Sequence, residues 1–382
     1  MTGAEPVRVF MPCTGLGREQ RGFEAFTREC ASALAASPGL RVTVFGGGGP
    51  DMKPGERSIW TLPRSGSIAR ALGAVTPRDA YFFEQASFFP GFARVLTSGR
   101  PHVVYFGDVN VGNACWHWRR LTRQRYRLLY YNGGATTRPF TRCDLVQQVS
   151  PEHMDAAVAR GESPDRMFLL PHAVAMRREF TPLAPDERAR RRAALGVHPD
   201  ATVVLSVGAL NAQKRMAYVI DEVSAMPGAP HLLLVGAVTP ETSEIRQRAV
   251  GRLGGRCTLL TLPRDQARRV YALADAFVLA SLREGFGIVQ VEALDAGLPC
   301  VVHDTPTSAY VLGDHGVRAD LRNPGALAQA LLHALREDTA TARAARHASA
   351  YARFSWDRLG PMYADALVAC ADNRNPTEGG RA

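Results

Sequence analysis

The sequence predicts an α/β protein built on two doubly wound parallel sheets. Short runs rich in valine, leucine and phenylalanine alternate along the chain with longer segments whose apolar residues recur at helical spacing. This alternation is typical of parallel sheets that are covered by helices on both faces. The length of 382 residues suits two domains of ordinary size, each with its own core.

The N-terminal part of the chain follows this pattern. A helix is predicted over Phe23 to Ala36, and a second one over Cys115 to Leu129 carries a stripe of arginines. That stripe consists of Arg120, Arg123 and Arg127. The predicted strands of this part are 7–11, 42–45, 102–106, 145–149 and 167–170.

Two loops of this part are candidate ligand sites. The first crossover loop, Cys13 to Gly22, is rich in glycine and follows a strand at its carboxyl end, where doubly wound sheets bind ligands. It lacks the third glycine of a dinucleotide fingerprint, and no acid closes the second strand, so a nicotinamide cofactor is disfavoured. Asp108 stands at a later strand exit, either as an acid that binds a ligand hydroxyl or as a helix cap or turn residue.

The C-terminal part begins with a predicted buried strand, Thr202 to Val207, that leads into Gly208 and Lys214. A glycine followed by a lysine at a helix start favours phosphate binding, because the lysine adds a point charge to the unpaired helix amides. Lys53 and Lys214 are the only lysines of the chain. A lysine in a chain that otherwise uses arginine indicates a function for Lys214.

The richest stretch is Ser281 to Pro299, which predicts a strand exit, a glycine turn and a helix between two buried strands. The amides of Phe286, Gly287 and Ile288 become the unpaired donors of that helix start, where a phosphate is favoured. Glu284 lies just before the helix, and Glu292 lies about one and a half turns inside it. A long ligand could therefore contact both carboxylates.

These residues resemble a motif of a known protein family. Two glutamates with seven residues between them, followed by Ala293, Ala296-Gly297 and Pro299, resemble the donor signature of retaining GT-B glycosyltransferases, most closely glycosyltransferase family four. The resemblance implies two Rossmann-like domains that face each other across a cleft. It further implies domain bounds of 1–182, completed by a helix at 356–372, and 183–355. The polar tail at 373–382 is expected to be disordered.

The resemblance also assigns roles to residues. It implies that Glu284 faces the donor sugar, that Glu292 holds the ribose hydroxyls, and that the amides between them hold the diphosphate. The turn at Leu262 would meet the nucleobase through its backbone, and Gly208 and Lys214 would contact the donor phosphates. Gly22 would contact the donor phosphates or the acceptor, the alternative being a simple turn residue. Glu284, Asp108 and Lys214 are the candidate catalytic residues. Two departures from the family bear on activity: an alanine, Ala209, stands where an arginine is usual, and the usual histidine at the strand exit before Asp108 is missing.

The implied activity is transfer of a hexose from a nucleotide sugar to a hydroxyl acceptor, with retention, without a metal and without a further cofactor. The acceptor would be a glycan, a lipid-linked glycan or a small molecule. The two departures leave a non-catalytic sugar-nucleotide binder or a sugar-nucleotide epimerase as alternatives. No Asp-x-Asp pair occurs in the chain, so the metal clamp of the other large glycosyltransferase fold is not expected.

Charge and cysteine content limit the partners and the cellular location that can be expected. A net charge of +10 permits an anionic partner, and the arginine stripe makes an anionic membrane surface a candidate contact, whereas no nucleic acid is expected. Seven scattered cysteines without metal-ligand spacing are expected to be reduced and structural. The expected location is cytoplasmic, with peripheral contact at the inner face of the membrane as an option.

Overall fold

The computed structural model describes residues 5–19, 22–134, 136 and 139–376. The chain forms two compact units. Unit one contains the residues up to Ala175 together with those from Trp356 onward, and unit two contains Met176–Ser355. Residues 176–182, which the sequence analysis placed in the first domain, therefore lie in unit two.

Unit one has a seven-stranded sheet in the order β3-β2-β1-β4-β5-β6-β7, and all paired strands are parallel. Its strands are β1 Val7–Cys13, β2 Leu40–Gly46, β3 Arg57–Ser58, β4 Val103–Phe106, β5 Arg127–Asn132, β6 Leu145–Gln148 and β7 Met167–Leu169. Its helices are α1 Gly22–Leu34, α2 Ser67–Val75, α3 Ala80–Gly99, α4 Val109–Thr122, α5 Pro151–Ala159 and, after unit two, α14 Trp356–Ala371.

Unit two has a six-stranded parallel sheet in the order β10-β9-β8-β11-β12-β13. Its strands are β8 Val203–Val207, β9 His231–Val235, β10 Cys257–Leu260, β11 Ala276–Leu279, β12 Cys300–His303 and β13 Gly316–Ala319. Its helices are α6 Pro185–Ala194, α7 Met216–Ser224, α8 Thr242–Leu253, α9 Arg264–Val270, α10 Ile288–Asp295, α11 Pro306–Leu312, α12 Ala326–Arg336 and α13 Ala340–Phe354.

The core of unit two explains why its strands read as continuous apolar runs. Successive side chains of a strand point to opposite faces of the sheet. Val204 and Val278 belong to one buried cluster, and the neighbouring Leu205 and Phe277 belong to another. Each strand thus feeds two buried layers, which is the expected result of helices on both faces.

Aromatic side chains form much of the core of unit one. Phe10 and Phe45 lie 4.9 Å apart between ring centroids, and Phe92 is 5.4 Å from both Phe45 and Phe88. These rings join the sheet to α3. Helix α3 is not predicted from the sequence.

The strand order reverses once in each sheet. In unit one the reversal lies between β1 and β4, and in unit two it lies between β8 and β11. Crossover connections leave such a point in opposite directions, so a crevice opens beyond the carboxyl ends of the two strands. The segments that follow these four strands are therefore candidate ligand-binding segments.

The predicted helix over Cys115 to Leu129 is wrong in its second half. Helix α4 ends at Thr122, and Arg123 follows it in the left-handed conformation, with φ of 54°. Arg127 begins β5 instead, where pairing with β4 outweighs helix propensity. The predicted stripe of three arginines on one helix face therefore does not exist.

Two further expectations concern the chain end and the membrane. The predicted tail at 373–382 lies outside the described residues from 377 onward. At its start Asn375 is buried, and its Nδ2 donates to the carbonyls of Asp165 and Met167 at 2.7 and 3.1 Å, so this part packs on unit one. Among the described residues, no helix combines the length and the apolar character needed to cross a membrane.

Candidate functional site

The reversal point of unit two brings together the segments that the sequence analysis singled out. Strands β8 and β11 are neighbours, so the loop with Gly208 and Lys214 and the loop with Glu284 leave the same edge of the sheet. A Cβ atom on Gly208 would lie 3.1–3.3 Å from the aliphatic carbons of Lys214. Gly208 thus gives the lysine stem room to extend along the loop.

Lys214 and Glu284 are in direct contact. The Nζ of Lys214 donates to Oε1 of Glu284 at 2.5 Å, and the two side chains are 20% and 18% exposed. The loop around the lysine is fixed by Asn211, whose Oδ1 accepts a hydrogen bond from the Lys214 amide at 3.0 Å. The residue that follows, Arg215, donates to the carbonyl of Leu321 at 2.6 Å and is thereby occupied elsewhere. Lys214 and Glu284 thus neutralise each other next to the start of α10.

The start of α10 is formed by a sharp turn. Gly287 lies at the N-cap in the left-handed conformation, with φ of 76°, which glycine adopts without the strain of a Cβ atom. The Phe286 side chain is buried, and its ring meets that of Phe354 edge-on at 5.7 Å. Ile288 is the first helical residue. The predicted donor amides therefore stand at a helix start.

Glu292 lies inside α10 and is only 5% exposed. The hydroxyl of Tyr271 donates to its Oε2 at 2.9 Å, and Nη2 of Arg264 lies 2.8 Å from its Oε1. Burial, with the Glu292 carboxylate beside it, raises the pKa of Tyr271 well above its usual value, so this hydroxyl keeps its proton. Neither partner is predicted from the sequence.

The turn at Leu262 lies at the same edge of the sheet as Gly208, and two successive contacts connect them. The hydroxyl of Thr261 donates to the Gly236 carbonyl at 2.9 Å, and a Cβ atom on Gly236 would lie 1.6 Å from the Gly208 carbonyl oxygen. Arg264, which pairs with Glu292, begins α9 two residues after Leu262. Arg264 follows the predicted base-binding turn closely in the sequence, and this proximity is the signal that could have identified it as a site residue.

The reversal point of unit one holds Asp108, but not as an exposed acid. Its side chain is 1% exposed, accepts a hydrogen bond from the Thr14 amide at 2.7 Å and accepts another from the Tyr81 hydroxyl. Asp108 occupies the N-cap of α4 without a side-chain bond to the helix amides. Its carboxylate thus joins the ends of β1 and β4 to α3, and direct contact with a ligand remains a prediction.

A second buried carboxylate supports this corner. Glu84 accepts from the Thr14 hydroxyl at 3.0 Å and from both the amide and Nε of Arg64 at 3.0 Å. Glu24, near the predicted phosphate contact Gly22, is also buried. Gly22 itself is the first residue of α1. Among the described residues, no group of three or more histidine, cysteine, aspartate and glutamate side chains could hold a metal ion.

Comparison with known proteins relates unit two to a family. Residues 201–337 match the family model described as Glycosyl transferases group 1. The D-inositol 3-phosphate glycosyltransferase of Xylanimonas cellulosilytica is 28% identical over 243 residues, which is 61% of this chain and 58% of that protein. A second protein of that name, from Geodermatophilus obscurus, is 30% identical over 60% of this chain and 53% of its own length. The chain thus spans little more than half of the length of these curated relatives.

Solved structures cover nearly the whole chain. Sucrose-phosphate synthase from Thermosynechococcus elongatus superimposes with a TM-score of 0.75 and 22% identity over 95% of this chain and all of that one. Anabaena HepE in complex with UDP-glucose superimposes with a TM-score of 0.74 and 18% identity over 95% of this chain and 99% of that one. At this identity the likeness concerns the fold. The chain has the two-domain α/β GT-B fold.

The buried Asp108 predicts a pH dependence of stability. Burial raises its pKa above the usual value, despite the hydrogen bond from Thr14 that opposes this shift. Between the unfolded pKa of about 4 and the raised folded value, the folded state binds the extra proton, so the free energy of unfolding falls as pH rises. Asp108→Asn abolishes this titration. The stability of the wild type relative to this variant should therefore decrease with pH, by up to about 1.4 kcal/mol per pH unit.

Urea unfolding between pH 4 and pH 8 measures this difference. The amide can keep both contacts, with Oδ1 accepting from Thr14 and Nδ2 donating to the Tyr81 oxygen. Asp155→Asn, at an exposed position of α5 in the same unit, is the matched control for the loss of one carboxylate. A relative stability of wild type that stays flat or rises with pH would contradict the prediction.

Proposed function

We propose that the protein is a retaining glycosyltransferase that moves a hexose from a nucleoside-diphosphate sugar to a hydroxyl acceptor. The contact between Lys214 and Glu284 beside the start of α10 carries this proposal. It puts one cation, one carboxylate and a set of helix amides at the reversal point of unit two. The match of residues 201–337 to glycosyl transferases group 1 supports the same reaction class.

Because the leaving group is an anion, the site has to stabilise the negative charge that develops on it. Lys214 supplies a positive charge, and the helix start at Gly287 and Ile288 supplies N–H donors and the positive end of the helix dipole. Together they stabilise the charge that develops on the diphosphate as it leaves, which is electrostatic catalysis by preorganised groups. We propose that this arrangement replaces a metal ion.

The transfer breaks the bond between the anomeric carbon and the oxygen of the β-phosphate, and the electron pair remains on the diphosphate. The acceptor oxygen forms the new bond on the same face of the sugar, which retains the configuration. A phosphate oxygen of the leaving group takes up the acceptor proton. Glu284 lies beside Lys214, where its carboxylate would face the sugar and the positive charge that develops at the anomeric carbon.

The nucleoside would occupy the other end of the same edge. Glu292 would bind two ribose hydroxyls, because a carboxylate accepts such a pair well, and the Leu262 turn would meet the base through its backbone. Tyr271 and Arg264 hold Glu292 in place for this contact. The complex of Anabaena HepE with UDP-glucose shows that a protein of this fold binds such a donor.

We propose that unit one binds the acceptor and that Asp108 contributes indirectly. Its carboxylate is taken up by Thr14 and Tyr81, so it positions the loop that follows β1. Gly22 lies at the far end of that loop. The acceptor class is a hydroxyl compound, such as a glycan, a lipid-linked glycan or a small molecule.

Transfer itself is tested by a donor panel. UDP-, GDP-, ADP- and TDP-sugars are first compared by thermal shift, and the donor that stabilises the protein is then incubated with candidate hydroxyl acceptors. We expect release of the nucleoside diphosphate and a product whose anomeric NMR coupling matches that of the donor. Tight binding without turnover would indicate a non-catalytic binder, an inverted product would refute retention, and release of a 2-epimeric sugar would indicate an epimerase.

Lys214→Ala tests the phosphate contact. Loss of a charge-assisted contact costs roughly 1.5–3 kcal/mol, so the affinity for the nucleoside diphosphate should fall by about 10-fold to 150-fold. The affinity for the free nucleoside should stay unchanged, because it lacks the phosphates. Isothermal titration calorimetry with both ligands measures this contrast. Lys53→Ala removes the other lysine, which is exposed in unit one, and is the matched control.

The two glutamates should respond differently to an isosteric change. Glu292→Gln should weaken nucleoside diphosphate binding about 10-fold even without the sugar, since a ribose contact is charge-assisted. Glu284→Gln frees Lys214 from its counter-ion, so the nucleoside diphosphate should bind at least as tightly as in wild type, whereas turnover of the sugar nucleotide should fall. Calorimetry and steady-state kinetics separate the two effects. Equal loss of nucleotide affinity in both variants, with normal turnover, would show that the two ends are wrongly assigned.

A further inference from the structure

The side chain of Gln290 lies directly beneath the turn that begins α10. It is 1% exposed, and its Nε2 donates to the Phe286 carbonyl at 3.4 Å. A Cβ atom on Gly287 would lie 2.1 Å from this Nε2. The amide of Gln290 therefore packs against the α-carbon of Gly287, and the turn is built around it.

This contact sets the direction of an N–H group. The described residues contain no cis peptide bond, and in a trans peptide the C=O and the following N–H point in opposite directions. The Phe286 carbonyl points down to Gln290, so the N–H of Gly287 points away from it, out of the helix start. If the peptide plane between Phe286 and Gly287 could rotate freely, the N–H of Gly287 would no longer point in this fixed direction.

The main chain of Gln290 fixes the next peptide in the same way. Its amide donates to the Gly287 carbonyl at 2.8 Å. The carbonyl of Gly287 thus points along the helix, and the N–H of Ile288 points back beyond the helix start. One residue thereby orients two successive peptide planes, one through its side chain and one through its backbone.

The orientation of the Gln290 amide is itself determined by its surroundings. If the amide were flipped, Oε1 would face the Phe286 carbonyl, and two acceptors would meet. Gln290 also lines a pocket together with Ser281 and Glu284. Neither Oε1 nor the buried Ser281 hydroxyl has a hydrogen-bond partner within the described chain. The amide therefore donates toward the turn through Nε2.

We propose that Gln290 is a positioning residue that aims the N–H groups of Gly287 and Ile288 at the diphosphate of the donor. This role rests on the proposed function. Gln290 contacts no reacting atom and acts through the peptide planes of the turn. Its removal therefore affects the phosphates and leaves the nucleoside end, at Glu292 and Leu262, unchanged.

The test compares the nucleoside diphosphate with the free nucleoside. Gln290→Met keeps the length of the side chain and removes the donor. We expect the affinity for the nucleoside diphosphate to fall roughly tenfold, in line with the loss of an aimed donor to a charged group, while nucleoside affinity stays within twofold of wild type. Gln329→Met, at an exposed position of α12, is the matched control and should change neither affinity.

A second variant gives a signature that general destabilisation does not. Gln290→Glu faces the Phe286 carbonyl with a carboxylate, which repels it when ionised and donates to it when protonated. Burial raises the pKa of such a carboxyl, so the relative affinity of this variant for the nucleoside diphosphate should recover as pH falls from 8 to 5.5. Each value is divided by that of wild type at the same pH, which removes the titration of the phosphate.

The outcomes separate the two proposals. If wild type binds no nucleoside diphosphate, the proposed function fails and this role fails with it. If wild type binds, but Gln290→Met keeps the wild-type ratio of the two affinities and Gln290→Glu shows no recovery at low pH, this role alone is refuted. Should Gln290→Met fail to fold, the pH series of Gln290→Glu decides.

Discussion

The ion pair between Lys214 and Glu284 is possible only because parallel strands end at one edge of a sheet. These residues are far apart in the chain, and the pairing of β8 with β11 brings their loops together. A compact ammonium group next to a carboxylate is favourable in a partly exposed crevice, where each screens the other. The diphosphate of the proposed donor would bring its negative charge beside Lys214, which would then face both the phosphates and the Glu284 carboxylate.

Both sheets, their parallel strands and the site segments of unit two could be predicted from the sequence. Strand runs in buried parallel sheets are continuously apolar, so β8, β11 and β12 are recognisable, and Gly287 marks a turn that requires a positive φ. The strands β3 and β13 and the helices α2, α3, α11 and α13 were missed. The end of α4 was missed as well, because the pairing of Arg127 with β4 is a tertiary effect that helix periodicity does not register.

Side-chain contacts between distant residues were the least predictable part. Asp108 stands at the predicted strand exit, but Thr14 and Tyr81 decide that its carboxylate is buried. Likewise, Tyr271 meets Glu292 across 21 residues, and no spacing rule indicates such a contact. Local patterns thus identify which residues carry chemistry, whereas the packing of other elements decides whether each one faces a ligand or supports a neighbour.

Unit one is interrupted in the chain by the whole of unit two. Helix α14 returns to it after residue 355, and the Tyr363 hydroxyl accepts a hydrogen bond from Gln147 at 2.9 Å across 216 residues. Closing so long a loop carries an entropic cost that must be met before such contacts form. During synthesis, the surface of unit one that α14 covers stays open until unit two has left the ribosome. Unit one, which holds the first strand, is therefore expected to complete its fold only after the whole of unit two has been made.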